Sequence, residues 1–234
     1  MRAVALTDVG LKRENNEDYY LIREDLSLYL VADGMGGYHA GEIASEIASK
    51  TIASVMEAYE NFVFERDIHA LLIKANEAIL EFVLENPTCK GMGTTVVLVH
   101  FTEDEIWVAN VGDSRCYGLG NDGLIQLSED HSLVAELVKI GSISAEEAAT
   151  HPDRNIVTSA LGVDRRFEVF FKNYKRSEFK RILLCSDGMS NMVDKMELEK
   201  LTQLDVLESI PQKMIDSANS YGGRDNITVV CIEI

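Results

Sequence analysis

Four apolar runs of this chain carry an aspartate at one end. "LYLVADG" delivers Asp33, "IWVANVGDS" delivers Asp113, "RILLCSDG" delivers Asp187, and "RDNITVVCI" places Asp225 at a run's beginning. "NNEDYYLI" adds Glu17 and Asp18. A single Asp-Gly is ordinarily a turn or cap residue. Five or six acids gathered on strand ends need another account, because packed like charges repel and raise one another's pKa unless something neutralises them. Hard divalent cations do so with all-oxygen coordination. The chain has only five histidines, none paired with another at ligand spacing, so Mg²⁺ or Mn²⁺ fits better than zinc or copper. Two such ions roughly 3.5–4 Å apart, bridged by carboxylate, form a site for displacement at phosphorus: they lower the pKa of a water and neutralise phosphate oxygens. Arg13, in "KRENNED", adds a guanidinium fork able to grip two phosphate oxygens. Glycines follow Asp33 and Asp187 directly, and without a side chain the backbone there can approach an ion or substrate closely.

These acids meet only if the strands pair in particular registers. Strands are expected over 2–8, 19–23, 27–33, 94–101, 105–112, 115–119, 124–127, 167–172, 181–186 and 226–233. In antiparallel pairing the end of one strand lies beside the start of its partner. A turn near Asp25 and Leu26 sets Asp18 opposite Asp33. If 181–187 and 225–233 are antiparallel neighbours, Asp187 and Asp225 also meet. A turn at 103–104 sets Asp113 opposite Thr94, beside "GMGTT". Helical spacing of apolar residues predicts helices over 41–59 and 67–85, with further helical segments near 194–201 and 211–220. The small residues of "IASEIASKTIAS" allow the first helix a close approach to whatever it covers. Residues 131–161 read as mixed helical and irregular. Strands arrive in hairpin-like pairs and helices in pairs, which favours antiparallel sheets with helices on their outer faces over a parallel doubly wound sheet.

The bulk composition narrows the function classes. The 234 residues contain three prolines and no linker-like stretch, so one domain is expected. The net charge of −17, from 22 basic and 39 acidic residues, argues against a nucleic-acid partner. No run of 18 apolar residues offers a membrane span, and the N-terminus lacks a signal-peptide core. Four cysteines without a Cys-x-x-Cys pair read as reduced thiols of a cytoplasmic protein. The glycines of "GMGGYHAG" miss the dinucleotide fingerprint. Phospho-accepting aspartates of receiver-type or dehalogenase-type proteins sit on parallel sheets, which the hairpins here disfavour.

With these residues in view, the chain resembles the metal-dependent Ser/Thr protein phosphatases of the type 2C (PPM) family, in their compact bacterial form. Nine motifs match in order along the whole length: "RENNED" 13–18, "DGMGG" 33–37, "AGEIAS" 40–45, "GMGTT" 91–95, "NVGDSR" 110–115, "EDHS" 129–132, "RNIVTSALG" 154–162, "SDGMSNMV" 186–193 and "GGRDNITVV" 222–230. The resemblance implies an α+β, four-layer αββα sandwich of two antiparallel sheets with helices on both outer sides. It implies two core Mn²⁺ or Mg²⁺ ions with a weaker third, and hydrolysis of phosphoserine and phosphothreonine by direct attack of a hydroxide held between the metals, with no phosphoenzyme. By position Asp33 resembles the bridging carboxylate, and Asp187 and Asp225 resemble further ligands of one metal. The Gly34 carbonyl resembles a ligand of the other, with Glu17 and Asp18 in its inner or outer shell. Asp113 with Asp187 resembles the third site, and Arg13 the phosphate anchor. His39 and Arg154 join Arg13 as implied substrate contacts, and residues from about 140 to 162 correspond to a flap beside the site. Implied partners are phosphorylated proteins, including a cognate Ser/Thr kinase and its substrates, met by a monomer.

The chain departs from the wider family in places. Met35 stands where animal and plant relatives carry a histidine thought to protonate the leaving oxygen. Bacterial members often place a histidine at the position of Tyr38; here it is next door, at His39. A metal-bound water is the first expectation for that proton and His39 the second. His131 reads as a structural hydrogen-bonder in "DHS". The competing reading is a catalytically dead relative that binds phosphoproteins. Such a relative would usually lack one of Asp33, Asp187 or Asp225, and all three are present.

Overall fold

The computed structural model describes residues 1–37, 40–59 and 62–234. The chain begins with β1 (Arg2–Asp8), β2 (Asp18–Arg23) and β3 (Leu28–Met35), followed by the helices α1 (Ala40–Ala58) and α2 (Phe64–Glu85). Next come β4 (Gly93–Thr94), β5 (Val96–Phe101), β6 (Glu105–Val111), β7 (Arg115–Gly120) and β8 (Gly123–Gln126). Two short helices, α3 (Leu133–Lys139) and α4 (Ala145–Thr150), precede β9 (Phe170–Lys175) and β10 (Phe179–Cys185). The chain closes with α5 (Asp187–Ser190), α6 (Lys195–Thr202), α7 (Ile210–Ser220) and β11 (Ile227–Glu233).

Two sheets result, in the orders β1-β11-β10-β7-β8 and β2-β3-β5-β6-β9, with β4 paired to the end of β3. Among the described residues every strand pair is antiparallel. The central strands are apolar without interruption because both of their faces are covered. Along β3, Tyr29 and Val31 enter a core between the sheets, while Leu28, Leu30 and Ala32 pack under α1 and α2. Along β10 and β11, Ile182, Leu184, Val230 and Ile232 point between the sheets. Leu183, Cys185, Val229 and Cys231 point outward, beneath α6 and α7. Three apolar layers alternating with four structural layers make the αββα sandwich. Burial drives this stacking at about 25 cal/mol per Å² of apolar surface.

Most expected elements are present, with shifted ends. The predicted second helix starts earlier, at Phe64, whose ring stacks on His100. The predicted strand 94–101 is broken at Thr95: Thr94 pairs with Gly34 on β3, and only Val96 onward follows β5's own ladder. The strand expected over 167–172 lies at Phe170–Lys175 instead. It is an edge strand, and only its pairing with β6 defines its limits. Among the described residues no helix is long and apolar enough to cross a membrane. All four cysteines are free.

Candidate active site

The β2–β3 hairpin has the register that places Asp18 directly opposite Asp33. Thr94 and Thr95 then hold Asp33 through its backbone: the Thr95 amide donates to the Asp33 carbonyl at 2.9 Å, and the Asp33 amide donates to Thr95 Oγ1 at 3.1 Å. On the other sheet, Cys185 pairs with Val229, so the chain leaves β10 into Asp187 beside the residue that enters β11, Asp225. Asp187 is the first residue of α5 and not the last of a strand. Asp113 follows β6, in whose ladder Val96 lies opposite Val111. The two sheets thus present their acid-bearing edges at the same end of the sandwich. A cleft of about 240 Å³ is lined there by Arg13, Glu17, Asp33, Gly34, Asp113, Asp187 and Asp225, with Met35, Gly36, Thr95, Asn155 and Val157 completing the wall.

The glycines next to these acids have a packing role besides the expected close approach to an ion or substrate. A Cβ on Gly34 would collide with the Gly41 carbonyl oxygen at the start of α1, and a Cβ on Gly188 with the Asn226 carbonyl oxygen. Both glycines let a neighbouring backbone pack against the acid's own loop. Gly41 in turn leaves room for the Glu17 carboxylate, and Ser45 Oγ donates to the Glu17 carbonyl at 2.7 Å. "DGMGG" and "AGEIAS" are therefore the two halves of one contact.

Asp18 lies under the cleft, 8 % exposed. Its Oδ2 accepts from Ser186 Oγ at 2.7 Å, and its Oδ1 is buried without a hydrogen-bond partner. Burial first, then repulsion from Asp187 and Asp225, raises its pKa to about 7 against the Ser186 hydrogen bond. Burial, then Asp18, Asp187, Asp113 and Asp225, pushes Asp33 well above the usual carboxylate range. Burial and Asp187 push Asp113 to about 8. Asp187 is raised by burial and by Asp225, with a hydrogen bond from Asp33 opposing. The cluster is thus short of positive charge. Arg13 supplies some at the rim, donating to Asp225 Oδ2 at 2.8 Å.

Among the described residues no three acidic, histidine or cysteine side chains converge as a finished coordination shell. The donor chemistry nevertheless fits hard divalent cations. The acids that line the cleft offer only oxygen donors, one buried carboxylate oxygen has no partner, and mutual repulsion is the kind that such cations relieve. The structure brings together Arg13, Glu17, Asp18, Asp33, Gly34, Asp113, Asp187 and Asp225. It places Arg154 in an adjoining groove that shares Asp113 and Asp187 with the cleft. His39 lies outside the described residues. His131 Nδ1 accepts from the Gly112 amide at 3.1 Å, the structural hydrogen bond expected of "DHS".

Three supporting residues escaped the sequence reading. Ser186 bridges Asp18 and the Thr228 amide. Asn226 accepts from the Glu17 amide at 2.8 Å and donates to the Val9 and Asn15 carbonyls, so it ties the first acidic loop to the last. Arg115, paired with Asp130 at 2.7 Å, lends positive potential that favours ionised Asp113 and Asp187. Each sits within a quoted motif, one or two residues from an acid; that proximity was the available signal.

The model of the protein phosphatase 2C family matches residues 12–227. The serine/threonine phosphatase stp of Listeria innocua is 40% identical over 243 aligned residues, covering 100% of this chain and 96% of that protein. The crystal structure of the Mycobacterium tuberculosis serine/threonine phosphatase PstP/Ppp superimposes with a TM-score of 0.92 at 33% identity, covering 100% of this chain and 98% of that one. The PstP catalytic domain in complex with two manganese ions has a TM-score of 0.88 at 32% identity, covering 99% and 97% of the two chains.

Proposed function

This chain belongs to the protein phosphatase 2C family, and on that premise we propose that it hydrolyses phosphoserine and phosphothreonine on proteins with the help of Mn²⁺ or Mg²⁺. The observation that carries the reading is the convergence of Asp18, Asp33, Asp113, Asp187 and Asp225, from both sheets, on one cleft with Arg13 at its rim.

In this reading Asp33, which faces acids from both sheets, would help hold both core ions. Asp187 and Asp225 would serve one of them. The Gly34 carbonyl, with Glu17 and Asp18, would serve the other. Asp113 with Asp187 would hold a weaker third. Bound there, the ions neutralise carboxylate and phosphate oxygens and lower the pKa of a water, which makes displacement at phosphorus accessible near neutral pH. The chain's own residues do the rest. Arg13, already poised against Asp225, turns its second guanidinium edge to the phosphate and orients it. Ser186 and Asn226 keep the acidic loops in register. His39 remains the second proposed donor to the leaving oxygen, after a water that the ions would supply.

The whole chain is proposed as one phosphatase domain, with residues of about 140 to 162 as a flap. Support for the flap comes from its anchoring: the Ser132–Val157 and Thr94–Leu161 bridges hold its base, while Asn155 and Val157 form part of the cleft wall. Its substrates are phosphoproteins, among them a cognate Ser/Thr kinase and that kinase's targets, in the cytoplasm. A monomer is supported by the net charge of −17, since like charge opposes self-association. The deciding experiment is phosphate release from a phosphothreonine peptide and from p-nitrophenyl phosphate, with manganese and with chelator. Turnover that requires the metal is expected. Metal binding without turnover would overturn the reading in favour of a phosphoprotein-binding relative.

A further inference from the structure

A groove of about 630 Å³ opens from the acidic cleft, with Asp113 and Asp187 lining both. Its floor is made by small apolar residues of the two short helices, Ala135 and Val138 of α3 with Ala145 and Ala148 of α4. Its opposite wall comes from the end of α5 and the start of α6, including Lys195. The distribution of charge in it is uneven. Away from the cleft its two acids are already committed: Asp130 to Arg115 at 2.7 Å, and Glu129 to Lys139 at 2.7 Å. Its cations Arg154 and Lys195 form no ion pair among the described residues; the Arg154 side chain makes only a long hydrogen bond, 3.5 Å, to the His151 carbonyl. Asp194, beside Lys195 in the chain, is taken up in capping α6 through the Glu197 amide. In a protein of net charge −17, two uncommitted cations in a groove that runs into the cleft mark a place for negative charge.

We propose that this groove binds the stretch of substrate on one side of the phosphorylated residue and selects acidic side chains there. The proposal rests on the phosphatase reading and names the substrate class of that same site. The small residues of the floor admit an extended peptide backbone. Arg154 and Lys195 then pair with carboxylates a few residues from the phosphate, on the side that the groove's direction dictates.

The test uses the full chain with manganese and a set of phosphothreonine peptides, carrying Glu, Gln, Lys or a second phosphothreonine on one flank or the other. A kcat/KM roughly three- to ten-fold higher is expected for Glu on one flank only, the size that two solvent-accessible charge pairs supply. The advantage should shrink as salt rises. Lys195→Glu should reverse the ratio toward Lys-bearing peptides, and Lys195→Gln should level it; ratios cancel any uniform change in the variants' activity. Equal rates for Glu and Gln peptides, or a ratio unmoved by either substitution, would overturn the groove proposal while p-nitrophenyl phosphate turnover keeps the phosphatase reading intact. Absence of that turnover would overturn both. An advantage from a second phosphothreonine with none from Glu would overturn the commitment to carboxylates.

Discussion

At the scale of single residues, the acids differ in what surrounds them, and their substitutions should differ accordingly. Asp33 faces Asp18, Asp187, Asp113 and Asp225 at once. Asp33→Asn keeps its shape and its backbone bonds to Thr95 while removing the charge that two ions would share. Turnover is expected to fall by roughly 10²- to 10³-fold or more, with circular dichroism and metal-free melting temperature preserved or raised. Near-normal rates would sink its assigned role. Asp113 faces mainly Asp187 and Asp130. Asp113→Ala should therefore lose activity while calorimetry still counts two tight manganese ions. Loss of all ion binding would instead place Asp113 in the core pair. The acids themselves were legible in the sequence, because aspartate at the end of an apolar run is a conspicuous pattern. Their supporters, Ser186 and Asn226, were not. A serine or asparagine beside an acid has many ordinary uses, and only the tertiary contact to Glu17 or Asp18 distinguishes these two.

At the scale of elements, legibility followed burial. The β2–β3 register could be anticipated because both strands are apolar and a short turn joins them; Asp18 opposite Asp33 is the result. The central strands β10 and β11 were visible as uninterrupted apolar runs, since both of their faces are covered. The edge strand β9 was misplaced by three residues at each end because its residues are largely half-exposed and its ladder to β6 alone defines it. The helices α3 and α4 contribute no buried residue and gave no strong periodicity. Glycine 188 marks where two elements touch: its missing Cβ admits the Asn226 carbonyl, which brings the start of α5 against the start of β11. Gly188→Ala is expected to cost about 1–3 kcal/mol of stability, because the obstacle is backbone and cannot swing aside. It should also weaken manganese binding by separating Asp187 from Asp225. A urea melt and a calorimetric titration check the two effects. An unchanged melt would mean that the corner relaxes freely and that the contact does not hold these acids together.

At the scale of the whole molecule, the fold and the ions are linked through protons. Folding drives acids into a shared edge and raises Asp18 from its ordinary 3.8 to about 7 and Asp113 to about 8. Between those limits the unfolded chain has released protons that the folded chain still holds. Raising the pH therefore favours unfolding: the contribution of these acids is fully present below about pH 4 and is lost as the pH climbs through 7 and 8. Protein kept in chelator should accordingly melt at progressively lower temperature from pH 5 to pH 8. Manganese binds only the ionised carboxylates of the folded state, so its stabilisation, RT ln(1 + [L]/Kd), grows over the same window. The gap between manganese and chelator melting curves should widen with pH. A net charge of −17 adds a general repulsion of the same sign, and Asp18→Asn separates the two contributions. That variant deletes a buried acid of raised pKa but leaves the surface nearly as it was, so its chelator curve should be flatter than the parent's. Parallel curves for the two proteins would show that the acidic edge does not carry the pH dependence, and that the carboxylates are not held against one another as the fold places them.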